Sequence, residues 1–155
     1  AWEGRTNGLA IARSYIEAGH PVMIADVSGI GEIGKEKFFF HGAKDRPDEG
    51  LGAMCYLMGE PLVGRRATDM LVLADVMAVR GGGGRPLLVA SGPLVIPAAH
   101  AWAADESAWS GVEVRDAPAS WRDCAEGGAA RLARTYYADI VPTAYMHYDW
   151  TDLLP

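Results

Sequence analysis

Apolar residues return every three or four positions in several stretches of the chain, which predicts amphipathic helices. One stretch runs from Asn7 to Ala18, where Gly19 supplies a C-terminal cap and Pro21 prevents continuation. The longest runs from Arg65 to Arg80 and ends at the Gly81–Gly84 turn. Its predicted buried stripe consists of Met70, Leu73, Ala74, Met77 and Ala78, and its predicted exposed positions are Arg66, Asp69 and Asp75. Shorter helices are predicted over 50–58, from Pro97 onwards and over 128–137.

Three short apolar runs predict β-strands, and each follows one of these helices. Residues 21–26 (PVMIAD) and 86–91 (PLLVAS) are almost entirely apolar, which is typical of strands buried on both faces. Residues 111–115 (GVEVR) form a weaker run because Glu113 interrupts it. Helices alternating with strands predict an α/β fold, a three-layer sandwich with a mostly parallel sheet. We expect residues 28–50 to form a long surface excursion, and residues 141–155 a loop with a short helix near Asp152.

The composition is that of a folded domain and excludes several classes of partner. The chain has 155 residues, half of them apolar, and a formal net charge of -6, which argues against nucleic acid. No apolar run approaches the roughly 20 residues that span a bilayer, so we expect no membrane partner. The two cysteines, Cys55 and Cys124, stand far apart, and no histidine–carboxylate cluster suggests zinc. We therefore expect no metal site, while neutral sugars and esters stay open as ligands.

The stretch VMIADVSGIGEIG, residues 22–34, matches the dinucleotide-binding pattern G-x-G-x-x-G at Gly29, Gly31 and Gly34. In that fingerprint the first glycine ends the strand and an amphipathic helix starts within the motif. Here residues 26–28 intervene before Gly29, and the sequence KEKFFFHG after Gly34 has no helical stripe. No acidic residue ends a second strand about 20 residues further on, where the ribose partner belongs. We favour a strand-end loop and expect no cofactor, with dinucleotide binding as an alternative.

Three segments resemble α/β-hydrolases, in particular acetyl xylan esterase-like proteins. Residues 18–32 (AGHPVMIADVSGIGE) are similar to the family's G-x-x-V-x-x-x-D-x-R-G-x-G-E segment, with Ser28 at the arginine position. Residues 59–71 (GEPLVGRRATDML) resemble its G-x-P-L-x-G-x-R-x-x-D-x-L segment. Residues 141–142 (VP) and 147–154 (HYDWTDLL) resemble the stretch that precedes a later strand. The resemblance covers nearly the whole chain and implies an α/β-hydrolase-like fold, with carbohydrate ester hydrolysis as the family's activity.

The resemblance also implies where a catalytic serine would stand. In α/β-hydrolases the strand after the long helix ends in the nucleophile elbow G-x-S-x-G. Gly92 falls on the first glycine, Leu94 on the nucleophile and Ile96 on the second glycine. A leucine cannot attack a carbonyl group, and a β-branched isoleucine suits the close packing of this turn poorly. Ser91 lacks flanking glycines, and the chain contains no G-x-S-x-G. We therefore expect a degenerate elbow and no catalytic residue in the chain.

The same resemblance places the family's remaining catalytic parts outside the matched segments. Its oxyanion loop comes before the first helix, and its acid and histidine come after the last matched segment. The sequence does not begin with methionine and shows no charged-then-apolar leader pattern, so we expect it to be a fragment whose natural start is missing. We expect residues 1–155 to be the central part of a single α/β-hydrolase-like domain, with the remainder of the parent polypeptide as partner. The compartment stays open, and esterase activity of the intact protein is an alternative.

For the histidines and Cys124 we favour structural or solvated roles over catalysis or metal binding. We expect His20 and His41 to be solvated and His147 to anchor a loop. His100 is expected to be partly buried behind the elbow with its hydrogen bonds satisfied. Cys124 has no adjacent base that would make it a nucleophile, so we expect a small buried side chain.

The aromatic and charged residues leave further alternatives open. Four tryptophans would form a platform for a sugar if they were exposed together, although core packing explains them equally well: Trp102, Trp109, Trp121 and Trp150. Carbohydrate is therefore kept as a candidate partner. Phe38–Phe40 are expected to contact the rest of the parent domain. Asp69 is expected to pair at the surface with Arg66, three residues away on the same helix, or with Arg65, four residues away.

Overall fold

The computed structural model describes residues 3–31, 48–126 and 139–155. Within these ranges the chain is a mixed α/β structure with five α-helices and a parallel sheet of two strands. The elements are α1 (Glu3–Glu17), α2 (Glu49–Leu57), α3 (Leu62–Arg80), β1 (Leu87–Ser91), α4 (Val95–Ala104), β2 (Gly111–Arg115) and α5 (Trp121–Glu126). Short 3-10 turns include Gly92–Leu94, Glu106–Ala108, Ala144–Met146 and Trp150–Leu153.

The core is built around the unit β1–α4–β2. The two strands pair in parallel, with Leu87 opposite Gly111 and Ser91 opposite Arg115, and α4 forms the crossover between them. α4 contacts both strands as well as α3. Its sequence, VIPAAHAWAA, consists mainly of small apolar residues, which allow neighbouring elements to approach closely. Most of α4 is therefore fully buried in the hydrophobic core.

Local signals correctly located several elements. The predicted strands at 86–91 and 111–115 are confirmed as β1 and β2, and the predicted helix over 50–58 as α2. α1 ends as predicted, because Gly19 has a positive φ of 84° and its N–H donates to the carbonyl of Ile16 at 2.9 Å. α4 begins at Val95, with Pro97 in its first turn. The 3-10 turn Trp150–Leu153 confirms the short helix expected near Asp152.

The prediction of a strand over 21–26 is wrong. Residues 21–27 form no strand, and β1 and β2 make up the whole sheet of the described residues. Ile24 is 60% exposed, whereas Val27, beyond the predicted strand, is buried. An apolar run becomes a strand only when a neighbouring strand satisfies its backbone groups, and this run has no such neighbour in the described parts of the chain.

α3 is longer than predicted and buries a wider face. It begins at Leu62, and Leu62 and Val63 in its first turn are fully buried. The predicted stripe is confirmed at Met70 and Ala74, and its other three members are half-buried. The predicted exposure of Arg66 is wrong, because this residue is 0% exposed. The physical reason is that its charged group finds partners in two other segments of the chain.

Some predictions fall outside the described residues. These are the helix over 128–137, most of the excursion over 28–50, Gly34, His41 and Phe38–Phe40. α5 was not predicted from the sequence, since six residues are too few for a helical period to stand out. In the described parts of the chain, every helix is too short or too polar to cross a bilayer.

Candidate functional site

The turn after β1 has the strand–turn–helix order of a nucleophile elbow. β1 ends at Ser91, a 3-10 turn covers Gly92–Leu94, and α4 begins at Val95. The left-handed residue in the turn is Gly92, with φ 61°. Leu94 is half-buried and packs against the core, and Ile96 lies within the core itself. The side chains of Leu94 and Ile96, which the resemblance aligns with the serine and the second glycine of the pattern, therefore serve packing.

Ser91 and Asp116 meet at the carboxyl ends of the two strands. The Ser91 hydroxyl donates to Oδ2 of Asp116 at 3.3 Å. Asp116 immediately follows β2 and has a φ of 49°, in the left-handed region that a residue with a side chain rarely adopts. This edge of a parallel sheet is the usual place for a ligand site. A serine nucleophile, however, needs an adjacent base oriented by a third group, and this pair includes no histidine.

Glu113 connects β2 to α1. Its carboxylate accepts a hydrogen bond from the hydroxyl of Tyr15 and another from Nε of Arg115 at 2.7 Å. Both hydrogen bonds lower the pKa of Glu113, and the one from Tyr15 has the larger effect. Successive side chains of a strand point to opposite faces of the sheet, so the neighbours of Glu113 point away from its face. One of these neighbours, Val114, packs on the core. The polar residue that weakened the strand signal is thus on the face away from the core.

His100, Tyr148 and Trp121 form an aromatic cluster behind the turn. Nδ1 of His100 lies 2.8 Å from the carbonyl oxygen of Ile96, and Nε2 lies 2.9 Å from the hydroxyl of Tyr148. The ring centroid of His100 is 6.0 Å from that of Trp121 and 5.8 Å from that of Tyr148. Burial lowers the pKa of His100, partly opposed by the hydrogen bond to Ile96. The expectation of a satisfied, partly buried histidine is confirmed.

Asp149 organises the segment next to this cluster. It is 2% exposed, and its carboxylate accepts hydrogen bonds from the backbone N–H groups of Trp121 at 3.3 Å and Arg122 at 2.8 Å. It also begins the 3-10 turn Trp150–Leu153 through a capping box with Asp152. Burial by itself raises the pKa of Asp149, but these backbone hydrogen bonds and one from Ser120 outweigh it and lower the pKa.

A shallow cavity of about 220 Å³ lies against Asp149. Its lining combines aromatic and charged side chains: Trp121, Arg122, Ala125, Glu126, Tyr145, Tyr148 and Asp149. The Arg122 guanidinium is paired with Asp152 at 3.3 Å. The sequence did not indicate this cavity, because its residues come from two separate segments of the chain, 121–126 and 145–149. The only local signal was the D-x-x-D capping pattern of residues 149–152.

The glycine loop packs against α3. Nε of Arg66 donates to the carbonyl oxygen of Ser28 at 2.9 Å, and Asp69 accepts from the Ser28 N–H at 2.8 Å. Arg66 also forms a buried ion pair with Asp48 at 2.9 Å. The expected surface pair between Arg66 and Asp69 is therefore wrong. Both side chains instead hydrogen-bond to the backbone of Ser28. The structure brings together the first two segments that carry the hydrolase resemblance.

The space beside the loop glycines is occupied by protein. A Cβ atom at Gly29 would lie 2.8 Å from Cδ2 of Leu51 and 3.4 Å from Nη2 of Arg66. A Cβ atom at Gly31 would overlap the carboxylate of Asp26. Both glycines have positive φ values, 78° and 64°. The loop needs glycines at these positions because its backbone is left-handed and its surroundings are crowded. The neighbouring Asp26 carboxylate is also unfavourable for a bound phosphate group, because both are negatively charged.

The remaining candidate residues are spread over the molecule. His20 is exposed as expected, and His147, which was expected to anchor a loop, is exposed as well. Cys124 is a free thiol, half-buried rather than buried. Trp109, Trp121 and Trp150 are 4%, 8% and 3% exposed, so the tryptophans do not form an exposed sugar platform. Among the described residues, no group of three histidine, cysteine or carboxylate side chains could hold a metal ion.

Comparisons with protein-family models, with curated proteins and with solved structures find no match to this chain.

Proposed function

We propose that this chain is an α/β-hydrolase-like unit, similar to the central part of acetyl xylan esterase-like proteins, that has no ester-hydrolysing centre of its own. Two arrangements support the hydrolase-like architecture. The order strand, tight turn and helix at β1–α4 is that of a nucleophile elbow. The two resembling segments at 18–32 and 59–71 contact each other through Ser28, Arg66 and Asp69. In this proposal the chain contributes structure to a larger hydrolase-like protein.

The observation that carries the non-catalytic assignment is the turn after β1. Leu94, which the resemblance aligns with the nucleophile, packs against the core. The nearby Ser91 donates to Asp116, and His100 has both ring nitrogens within hydrogen-bond distance of Ile96 and Tyr148. Acyl transfer by a serine needs a base that accepts the hydroxyl proton, and no described hydroxyl at this turn is bonded to a histidine.

The test is an ester-hydrolysis assay on the chain itself. We expect its rates with p-nitrophenyl acetate and acetylated xylo-oligosaccharides to equal those of a Ser91→Ala variant and of buffer alone. Saturable turnover that is lost in Ser91→Ala would overturn the non-catalytic assignment and identify Ser91 as an unusual nucleophile. Turnover that survives in Ser91→Ala would overturn it as well and would direct the search to another residue.

Carbohydrate contact is a second candidate function, and the cavity beside Asp149 favours it. Tyr145 and Tyr148 offer ring surfaces, while Arg122 and Glu126 offer a donor and an acceptor for hydroxyl groups. The lining is not cationic overall, which favours a neutral ligand over an anion. Titration with xylotriose, followed by NMR of the backbone amides, tests this function. We expect shifts confined to residues around the cavity and lost in Tyr145→Ala; no shift at saturating sugar would remove the candidate.

The two remaining alternatives have less geometric support. Esterase activity of an intact parent protein would have to be carried by other residues of that protein. Deleting residues 1–155 from the parent tests this alternative, which predicts that ester hydrolysis survives the deletion. Dinucleotide binding through Gly29 and Gly31 is disfavoured by the Asp26 carboxylate and by Leu51 beside the loop. Titration with NAD or FAD tests it, and the expected result is no change at the amides of residues 28–31.

A further inference from the structure

His100 joins three separate parts of the fold. It lies in the middle of α4, and its Nδ1 is 2.8 Å from the carbonyl oxygen of Ile96, one helical turn earlier. Its Nε2 is 2.9 Å from the hydroxyl of Tyr148, in the C-terminal segment 141–155. The ring also contacts Trp121, the first residue of α5, and Trp121 contacts Tyr148 at a centroid distance of 5.9 Å. In the proposed function the two hydrogen-bond contacts of the ring count only against a catalytic role for His100.

The hydrogen-bond partners determine the tautomer of the ring. A carbonyl oxygen only accepts, so Nδ1 of His100 carries the hydrogen that is directed at Ile96. In the neutral ring Nε2 is then an acceptor, and the hydroxyl of Tyr148 is the donor. Protonation places a hydrogen on Nε2, so Tyr148 can no longer donate there. The bond must reverse, and a positive charge must be accommodated between two aromatic rings in the core.

We propose that His100 is a pH-sensitive latch, whose neutral ring holds α5 and the C-terminal segment against α4 and whose protonation loosens both. The cavity of about 220 Å³ is affected directly, because Trp121 and Tyr148 belong to its lining. Residues around the cavity therefore respond to pH through a side chain that is not itself among the lining residues.

Several charged groups on the elements packed around α4 are engaged with partners other than His100. The Asp149 carboxylate accepts from backbone N–H groups of Trp121 and Arg122, and the Arg122 guanidinium pairs with Asp152. Charged groups on these elements in the described residues also include Arg65, Arg66, Asp69, Asp75 and Arg80 on α3, Glu113 and Arg115 on β2, Asp105 and Glu106 at the 3-10 turn after α4, and Asp123 and Glu126 on α5; Tyr148 is titratable as well. Arg66 and Asp69 bind Ser28, Glu113 and Arg115 bind each other, and Asp105 accepts from Ser107. None of these hydrogen bonds includes His100.

The direction of the pH effect follows from the burial of the ring. Burial holds the pKa of His100 below its ordinary value of 6.5. The unfolded chain therefore takes up a proton before the folded chain does, and stability is lost as pH falls. The stability that the neutral His100 ring contributes is complete above pH 6.5. It declines as the pH falls towards the pKa of His100 in the folded protein. Each unit by which that pKa lies below 6.5 corresponds to a tenfold change in the folding equilibrium constant.

The test compares unfolding of the wild-type chain and of His100→Gln between pH 7.5 and pH 5. Glutamine keeps a neutral donor and acceptor at this position but does not titrate. We expect the wild-type folding constant to fall more than that of His100→Gln over this range, because only the wild-type side chain takes up a proton. The matched control is His147→Gln, an exposed histidine of the C-terminal segment, which is expected to follow the wild type. Equal pH dependence in His100→Gln and wild type overturns the latch.

A measurement on the wild-type chain keeps the proposal testable if the variant does not fold. NMR titration of the His100 ring is expected to give a midpoint below 6.5, with nuclear Overhauser contacts from His100 to Tyr148 and Trp121 weakening at the same midpoint. A midpoint at or above 6.5 overturns the proposal. Ring contacts that persist unchanged through the titration overturn it too.

Discussion

Arg66 holds the backbone of Ser28 through a hydrogen bond of 2.9 Å between its Nε and the Ser28 carbonyl oxygen. Nη2 of the same guanidinium forms an ion pair with Asp48, and the arginine is completely buried. A single side chain of α3 thus connects the loop after residue 27 with the start of α2. The connection depends on a charge that has been removed from water, so it stabilises the structure only while its partners are in place.

Replacing Arg66 by alanine is expected to destabilise the chain by about 3–5 kcal/mol, because the substitution removes one partner of a buried ion pair. The neighbouring Arg65 is exposed and provides the matched control. We expect Arg65→Ala to change the free energy of unfolding by less than about 0.5 kcal/mol. Urea unfolding monitored by tryptophan fluorescence measures both. Equal losses in the two variants would contradict the assignment of Arg66 to the core.

Gly29→Ala is expected to cost more stability than Gly19→Ala. Both glycines have positive φ values, 78° and 84°, so either alanine carries a left-handed penalty of about 1–2 kcal/mol. At Gly29 the new Cβ also lies 2.8 Å from Leu51, whereas at Gly19 nothing lies within 4 Å. Overpacking adds about 1–3 kcal/mol at Gly29 alone. Thermal unfolding of the two variants gives the difference, and a larger loss at Gly19 would refute the described loop packing.

Asp149→Asn is expected to destabilise the chain by about 1–3 kcal/mol, because one acceptor oxygen facing backbone N–H groups becomes an amide donor. The pKa of Asp149 is lowered, so the wild-type contribution is complete above the ordinary value of 3.8 and is lost as pH falls through the folded-state pKa. Acid unfolding should therefore separate wild type from variant above pH 4 and bring them together at lower pH.

Glu126→Gln is the control for the acid-unfolding comparison of wild type and Asp149→Asn, because Glu126 is an exposed carboxylate at the end of α5. Its unfolding profile is expected to coincide with that of the wild type. A stability of Asp149→Asn equal to that of Glu126→Gln at neutral pH would show that the Asp149 hydrogen bonds contribute nothing measurable.

Leu94→Ser is expected to introduce the residue type of a nucleophile elbow without producing ester hydrolysis. The nitrogens of His100 are engaged with Ile96 and Tyr148, so no described histidine is placed to accept the serine proton. The measurement is hydrolysis of p-nitrophenyl acetate by the variant, with circular dichroism to establish that it is folded. Turnover by Leu94→Ser that disappears in the double variant Leu94→Ser/His100→Gln would show that His100 does reach this position.

Several elements were predictable because their signals are local. The helix before Gly19 ends where a glycine adopts a left-handed conformation, and β1 and β2 coincide closely with two short apolar runs. A helix closes its hydrogen bonds within four residues, so its period and its caps suffice to locate it. The turn at Gly92–Leu94, in contrast, was expected from the hydrolase resemblance, which aligns Gly92 with the first glycine of the elbow.

The burial of Arg66 and the engagement of His100 were decided by tertiary structure alone. Arg66 is buried because Ser28 and Asp48, 38 and 18 residues away along the chain, supply its hydrogen bonds. His100 depends in the same way on Tyr148, 48 residues distant. The apolar run at 21–26 shows the converse, since without a neighbouring strand in the described structure it leaves Ile24 exposed. Periodicity, caps and turn residues are properties of adjacent positions and were determined by the sequence itself, whereas strand pairing and the burial of charge require partners that only the folded chain brings within reach.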